Sequence, residues 1–549
     1  MRTSVKRRIA GLGVCLLLFI SPLLAATSDP VQTKYGAVQG LRSSAGVRMF
    51  RGVPYAAPPI GPLRWKAPQA PASWTGVRRA DTFGPRCMQD PVFPDMVFRS
   101  RRTSEDCLYL NIWVPAVATA ARHPVFVYFH GGGFVAGDGS EPRYDGESMA
   151  RRGIVVVTLN YRLGVFGFLA LPELSREASY NGSGNYGLLD QVAGLRWVHE
   201  NITAFGGDPH RVTIGGESAG SVSVSALMAS PISRGLISGA IGESGSILGT
   251  LPAQPRIAAE ANGRQFMAQA GAVSLAGLRA LREDDLLAIA AKFGAFHFDP
   301  PSVRFTPAVD GYFLPKPPAD IFAAGEQAHV PLLAGSNSEE MSADVVLRGA
   351  APTLENYRRA VENLYGTQAA AILKAYPAAA AGDDVLKAAQ ALASDRFTGY
   401  STLKWIGLAT ETGHKPTFYY LFSRSTPMSN PERNAASGDL AGIARGADAT
   451  RPQSRARGAL HAAEVDYVLG NLERNPVRAW TSEDREVSRV VQRYFASFIE
   501  TGNPNAPGLP NWPAYTTQQR MILDVRPRAE PDMSAARGRL FDDLPSRSR

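Results

Sequence analysis

The chain holds only three cysteines in 549 residues, at Cys15, Cys87 and Cys107. None forms a CxxC pair or a Cys/His cluster, and no HExxH segment occurs, so no metal site is legible. No Gly-Lys-Ser or Gly-Lys-Thr is present to complete a phosphate-cradling loop. Past the first thirty or so residues, no apolar run is uninterrupted enough to supply the ~20 residues of a membrane span. No segment recurs at a fixed period, which excludes a solenoid or propeller.

Positive charge is also scarcer than the total suggests. The formal net charge is +9, but Arg2, Lys6, Arg7 and Arg8 lie among the first ten residues. Those residues, "MRTSVKRRIA", form a basic segment followed by the apolar "GLGVCLLLFI" and the small-residue "SPLLAATSDP". That order is the pattern of a secretory leader, with an apolar segment too short for a bilayer. We therefore expect residues 1–26 to be removed near Ala25 or Ala26 and the mature chain to be secreted or periplasmic, without a stable membrane anchor. The modest charge that remains argues against a nucleic-acid partner. Cys15 goes with the leader, leaving Cys87 and Cys107 to close a loop of about twenty residues as a disulfide in an oxidising compartment.

With 45% hydrophobic content the chain can bury a large core. "HPVFVYFHGGGF" and "GIVVVTLNYR" are β-branched and aromatic runs closed by glycine or polar residues, as buried strands are. "GNYGLLDQVAGLRWVHENITAFGG" carries apolar residues at helical spacing from Leu188 to Val198 and stops at Gly206 and Gly207. "RVTIGGESAGSVSVSALMAS" then reads as strand, glycine turn and helix. Strands alternating with helices predict an α/β fold: a mostly parallel central sheet with helices on both faces. Residues 343–409 are Ala-rich and helical in pattern, whereas 423–458 are polar and read as a surface excursion. No composition break divides 27–549, which we read as a single domain.

Two serines follow Gly-Glu. Gly216-Glu217-Ser218-Ala219-Gly220 fits the G-x-S-x-G elbow, with a strand before it and a helix after. Ser244 in "GESGS" fails that pattern and reads as the start of a loop after the next strand. An attack by Ser218 on a carbonyl needs amide donors for the developing oxyanion, and "FHGGGF" after a strand provides them. The backbones of Gly132, Gly133 and Ala219 are the candidates. A base is required next, and four of the eight histidines come after Ser218. His329 and His414 each precede a strand, at its unhelpful end, while His297 and His461 both occupy loops; position favours His461. The acid falls on Glu339 or Glu340, after the strand "VPLLAGS", and spacing alone does not separate them.

"FGGDPHRVTIGGESAG" and "EDCLYLNIWVP" resemble the two signatures of the type-B carboxylesterases, α/β-hydrolases that include bacterial para-nitrobenzyl esterases, fungal lipases and cholinesterases. "FRGVPYAAPPIGPLRW", "NYRLGVFGFL", "GNYGLLDQ", "FTPAVDGYFLP" and "TGNPN" are similar to further blocks in the same order, so the resemblance spans Val31 to Leu523. The fold it implies is the α/β-hydrolase fold, with helical insertions around an active-site gorge. The family's acid segment, Gly-x-Asn-x-acid-Glu-Gly, falls on Gly335, Asn337 and Glu339 and makes Glu340 the triad acid; its H-x-x-E pattern falls on His461 and Glu464. The resemblance also pairs Cys87 with Cys107, reads Arg64 with Glu105 and Arg162 with Asp190 as structural ion pairs, and sets Glu217 in a buried network. Met341 stands where the family has glycine, a departure that bears on the local backbone.

The resemblance implies a Ser-His-Glu esterase that passes through an acyl-enzyme and needs no cofactor. Its partner is a small-molecule ester, and the oligomeric state stays open. The loop from Met88 to Asp106 lacks the tryptophan with which cholinesterases meet a cationic head, so a choline ester is disfavoured. It carries Arg99, Arg101 and Arg102 instead, which read either as a solvated face or as contacts for an anionic ester. A lipase-like member acting at an oil–water interface and a non-catalytic adhesion member are the alternatives.

Overall fold

The computed structural model describes residues 26–93, 95–117, 119, 121–293, 297–298, 301–302, 305–428, 456–475 and 478–542. The expected leader lies outside these residues except for Ala26, as does the 429–455 part of the polar excursion.

A twelve-stranded sheet organises the chain. Its strands, in chain order, are β1 (Ala26–Thr27), β2 (Leu41–Arg42), β3 (Arg48–Pro54), β4 (Tyr109–Val114), β5 (His123–Phe129), β6 (Val155–Leu159), β7 (Gly207–Glu217), β8 (Gly239–Glu243), β9 (Leu332–Asn337), β10 (Thr417–Phe422), β11 (Gln519–Leu523) and β12 (Arg528–Pro531). In space β5 and β6 exchange places, and from β6 through β5, β7, β8, β9 and β10 to β11 every neighbour is parallel. Antiparallel strands finish both edges.

Parallel strands need a crossover between them, so both faces are covered and both sides of each strand are apolar. In β5, Val125, Val127 and Phe129 point into one core, and Phe126 and Tyr128 into the other. Helices α1 (Tyr186–Asn201) and α2 (Ala219–Ala229) pack on the first face, and α5 (Ser482–Thr501) packs on the second through Tyr494, Phe495 and Phe498. After α1 a short 3-10 turn ends at Gly206, whose φ of +86° turns the chain into β7. That left-handed geometry suits glycine, which explains the stop seen in the sequence. The Ala-rich region forms α3 (Asp383–Ser394), α4 (Tyr400–Thr412) and further helices; α3 and the helices before it build a third core, which also receives Met341, while α4 packs Leu403, Trp405 and Ile406 into the first. A last helix, α6 (Ser534–Asp542), packs against α4. Among the described residues no helix is long and apolar enough to cross a membrane.

Cys87 and Cys107 are joined, closing the expected loop. Both expected ion pairs form and are buried. Arg64 reaches Glu105 through Nε at 2.6 Å, and Arg162 grips Asp190 with Nε and one terminal nitrogen, each at 2.7 Å. Such pairs satisfy each other well but are costly to break, because the surviving charge stays buried. Asp190→Asn should therefore lower the unfolding free energy by about 3 kcal/mol or more. Urea denaturation checks this, as a lower midpoint at unchanged slope.

Candidate active site

Glycines let β7 turn into α2 where they do. A Cβ on Gly216 would lie 2.6 Å from the Phe129 carbonyl oxygen, and one on Gly220 would lie 2.1 Å from the same atom. With both positions bare, the ends of β5, β7 and α2 close on one another and Ser218 is left at the apex. Its φ is +56° and its ψ −119°, a conformation that costs a non-glycine residue ~1–3 kcal/mol. The Ser218 N–H donates to the Glu243 carbonyl at 2.8 Å, and the Ser218 carbonyl accepts from Val222 N–H at 2.9 Å, which holds the strained turn. Ser218 keeps some exposure, whereas Ser244 is wholly buried and its hydroxyl donates to Glu464 Oε1 at 3.3 Å. The elbow serine is thus the accessible one.

The glycine loop lies alongside. Gly132 and Gly133 both have positive φ, +103° and +61°. A Cβ on Gly132 would meet the Ala136 carbonyl oxygen at 2.1 Å. Among the described residues, the N–H groups of Gly132, Gly133 and Ala219 donate to no protein acceptor. His130 braces the loop: its Nδ1–H donates to the Gly131 carbonyl at 2.8 Å, its ring stacks on Tyr161, and burial pushes its pKa down to about 4, so it is neutral. The methyl end of Met96, from the disulfide loop, would lie 3.0 Å from a Cβ on Gly132.

The candidate imidazole and carboxyl come from two loops zipped together at the backbone. Glu339 and Leu460 form a parallel bridge, with Glu339 N–H donating to the Ala459 carbonyl at 2.8 Å. One residue further along each segment, Glu340 Oε2 accepts from His461 Nδ1–H at 2.5 Å, and Glu340 Oε1 accepts from the Asn337 N–H at 2.6 Å. Glu340, not Glu339, therefore faces the imidazole. Asn337 also donates through its side chain to the Leu460 carbonyl at 2.7 Å and to Glu464. Met341 carries no positive φ; its side chain is buried in the third core, which absorbs the missing glycine.

His461 Nε2 lies 3.1 Å from Glu217 Oε1, off the line of a hydrogen bond. The Ser218 hydroxyl makes no hydrogen bond to a described residue, so His461 and Ser218 are not joined in this state. Since Nδ1 carries a hydrogen toward Glu340, Nε2 and Glu217 approach without repulsion only if a further proton lies on one of them. Burial pulls the imidazole pKa down, but Glu217 and Glu340 together push it up to about 9. Burial raises Glu217 itself and raises Glu464 as well, and it drives Glu243 well above the ordinary range.

Of the other histidines, His329 and His414 are exposed and pair edge to face at 5.9 Å, just before β9 and β10. His297 begins a two-residue strand paired with Pro301–Ser302, outside the central sheet. One contact has no counterpart in the sequence reading: the Phe397 ring meets the His461 imidazole at 4.9 Å and 68°. Arg99 is also placed otherwise than as a ligand contact. Its guanidinium binds Asp145 at 2.7 Å and the Ser140 carbonyl at 2.5 Å and covers the Phe83 ring, while Arg101 and Arg102 are exposed.

A strained serine at a strand-to-helix elbow, open glycine amides beside it and an imidazole held by a buried carboxyl define a serine hydrolase of the α/β-hydrolase fold. Residues 27–539 match the model of the carboxylesterase family, and the chain belongs to that family. Fumonisin B1 esterase of Sphingopyxis macrogoltabida is 34% identical across 94% of this chain and 90% of its own. Para-nitrobenzyl esterase of Bacillus subtilis (strain 168) is 35% identical across 94% and 99%. A solved PNB esterase superposes with a TM-score of 0.76 at 33% identity, covering 93% of this chain and 98% of the other. The protein is a carboxylic ester hydrolase.

The electrostatics are testable apart from catalysis. By NMR, the His461 imidazole should titrate near pH 9, and Glu217→Gln, by removing the nearest charge on Nε2, should bring the midpoint down toward the ordinary histidine value of about 6.5.

Proposed function

We propose that Ser218 is the nucleophile, His461 the general base and Glu340 the acid that orients it. The observation that carries this reading is the buried His461–Glu340 hydrogen bond beside the strained, accessible Ser218. His461 Nε2 leaves Glu217 and takes the proton from the Ser218 hydroxyl as its oxygen adds to the ester carbonyl. Gly132, Gly133 and Ala219 N–H groups hold the oxyanion, and the imidazolium then gives its proton to the departing alcohol. Water, activated by the same nitrogen, releases the acid. Each step involves only this chain, the ester and water.

Ser218→Ala should reduce turnover of a p-nitrophenyl acyl ester by about 10⁶-fold with folding unchanged, and retention of substantial turnover sinks the assignment. Because the base works only when neutral and its pKa is raised to about 9, kcat/KM should climb with pH through the neutral range and level off above that value.

The substrate we propose is a small ester, and an ester bearing an anionic group is the variant to be tested against it. The small ester is supported by relatives named fumonisin B1 esterase and para-nitrobenzyl esterase, and the anionic variant only by the exposed Arg101 and Arg102 on the disulfide loop, with Arg99 committed elsewhere. Comparing a neutral ester with one bearing a free carboxylate, in the native chain and in a double Arg101→Gln, Arg102→Gln variant, decides this. The charged ester should lose several-fold in kcat/KM, reversibly with salt, while the neutral one does not change. We propose further that the chain is exported, on the strength of its first 26 residues and of the Cys87–Cys107 link.

A further inference from the structure

Between α3 and α4 the helix does not break: Asp395–Gly399 form a single π turn. Such a turn has poorer hydrogen-bond geometry than the α-helix around it and persists where other contacts hold it. Two sets of contacts do so here. On one side, Asp395 Oδ2 accepts from the Tyr376 hydroxyl at 2.7 Å and from Arg537 Nε–H of α6 at 2.9 Å, with the Arg537 guanidinium lying over the Tyr376 ring. On the other, the Thr398 carbonyl accepts from the Ser401 and Thr402 hydroxyls at 3.0 and 2.9 Å. Thr402 Oγ1 in turn accepts from Gly245 N–H at 2.8 Å, and the Ser401 carbonyl accepts from the Ser246 hydroxyl at 2.7 Å. The turn is therefore tied both to the C-terminal helix and to the loop just past β8.

Phe397 is the large side chain this turn presents to the site, and it is buried against the imidazole of His461. The extra residue of a π turn rotates the helix beyond it by roughly 100° relative to an unbroken α-helix, so straightening the segment would change which side chain meets that ring.

We propose that the Asp395–Gly399 turn is a mount for Phe397, a positioning residue that keeps the His461 imidazole aligned on Glu340, and that Arg537 of the C-terminal helix is the remote end of this mount. The inference rests on His461 being the base. An imidazole has two soft torsions. Glu340 fixes one nitrogen, and the Phe397 ring closes a flank through which the group could swing or water enter. Glu217, Glu340 and Glu464 act on the imidazole from β7, from the loop after β9 and from its own turn, while Asp395 and Arg396 are the charged residues of the π turn. Burial disfavours the imidazolium, so water admitted on the Phe397 side favours it.

The test compares Phe397→Leu, Phe397→Tyr, Arg537→Ala and Arg537→Lys with the native chain on a p-nitrophenyl ester across pH. Phe397→Leu should lower kcat by roughly tenfold with KM changed by less than about twofold. The rising limb of the pH profile should move up by roughly half a unit, because the more hydrated imidazole holds its proton longer. Phe397→Tyr, which keeps the ring, should stay near native behaviour. Arg537→Ala should move kcat and the limb in the same directions by less, and Arg537→Lys, which keeps a donor for Asp395, should restore both. A Phe397→Leu enzyme with native kcat and an unmoved limb overturns the proposal, as does a change confined to thermal stability. If that variant does not fold, the Arg537 pair decides by the same limb, and an unmoved limb is again fatal. His461→Ala separates the two levels: retained activity there removes the base assignment itself, whereas an inactive His461→Ala beside a native-like Phe397→Leu removes the mount alone.

Discussion

The contact from Glu340 to His461 is the constraint around which the carboxyl end of the sheet is arranged. It fixes the imidazole tautomer, since only a hydrogen on Nδ1 suits a carboxyl oxygen at 2.5 Å, and so aims the lone pair of Nε2 toward β7 and the elbow. Nothing local in the chain brings the two residues together, because they are 121 positions apart. The backbone bridge between Glu339 and Leu460 does, because a separate segment takes up pairing with the chain just past the end of β9. Asn337 reinforces the same junction twice, through its N–H to Glu340 and its side chain to the Leu460 carbonyl. A parallel sheet thus delivers to one edge residues that are remote in sequence, as open α/β sheets do.

Electrostatically the site is overloaded with acid. Glu217, Glu340 and Glu464 are buried around a single imidazole, and Glu243 is buried close to Glu464 and Glu217. Ionising every one of them in a poorly hydrated space is prohibitive, and the upward shifts of Glu217, Glu243 and Glu464 are the consequence. The same crowding makes the protonated imidazole comfortable. On the proposed assignment this favours the charge distribution that proton abstraction from Ser218 would create, while leaving the resting imidazole reluctant to give up its proton at neutral pH. Transition-state support and an alkaline bias have one origin.

How legible each part was depends on the range of the interaction that makes it. The elbow, the glycine loop and the alternating strands are local patterns, and "RVTIGGESAG" contains in ten residues both glycines whose missing Cβ atoms allow the turn. Ser244 was separable from Ser218 for the same reason. His461 and His297 were not fully separable from spacing, nor Glu340 from Glu339, because the first choice depends on chain closure over more than a hundred residues and the second on which way two adjacent side chains leave a bridge. Family resemblance, not periodicity, supplied both. Arg99 looked like a free cation in a polar loop; only the fold brings Asp145 beneath it. Met341 looked like a backbone problem, yet a helical core had formed to receive its side chain. Phe397 gave no sign at all, since one phenylalanine in an Ala-rich helical stretch is indistinguishable from core until the π turn is seen.

Strain and support are distributed unevenly across the site, and the division reflects what each residue must do. Ser218 holds an unfavourable φ and makes no side-chain hydrogen bond to a described residue, which on the proposed assignment leaves its oxygen free to be claimed by a base and then by an acyl group. The groups around it are over-determined: His130 braces the glycine loop, Asn337 and Glu464 brace the loops behind His461, and Ser244, the serine outside the elbow, is bound to Glu464 in the same scaffold. A reactive oxygen that must change partners in every turnover can be left unattached only if everything it will bond to is already held in place. On the proposed assignment, the second Gly-Glu-Ser of the sequence is part of what makes the first one usable.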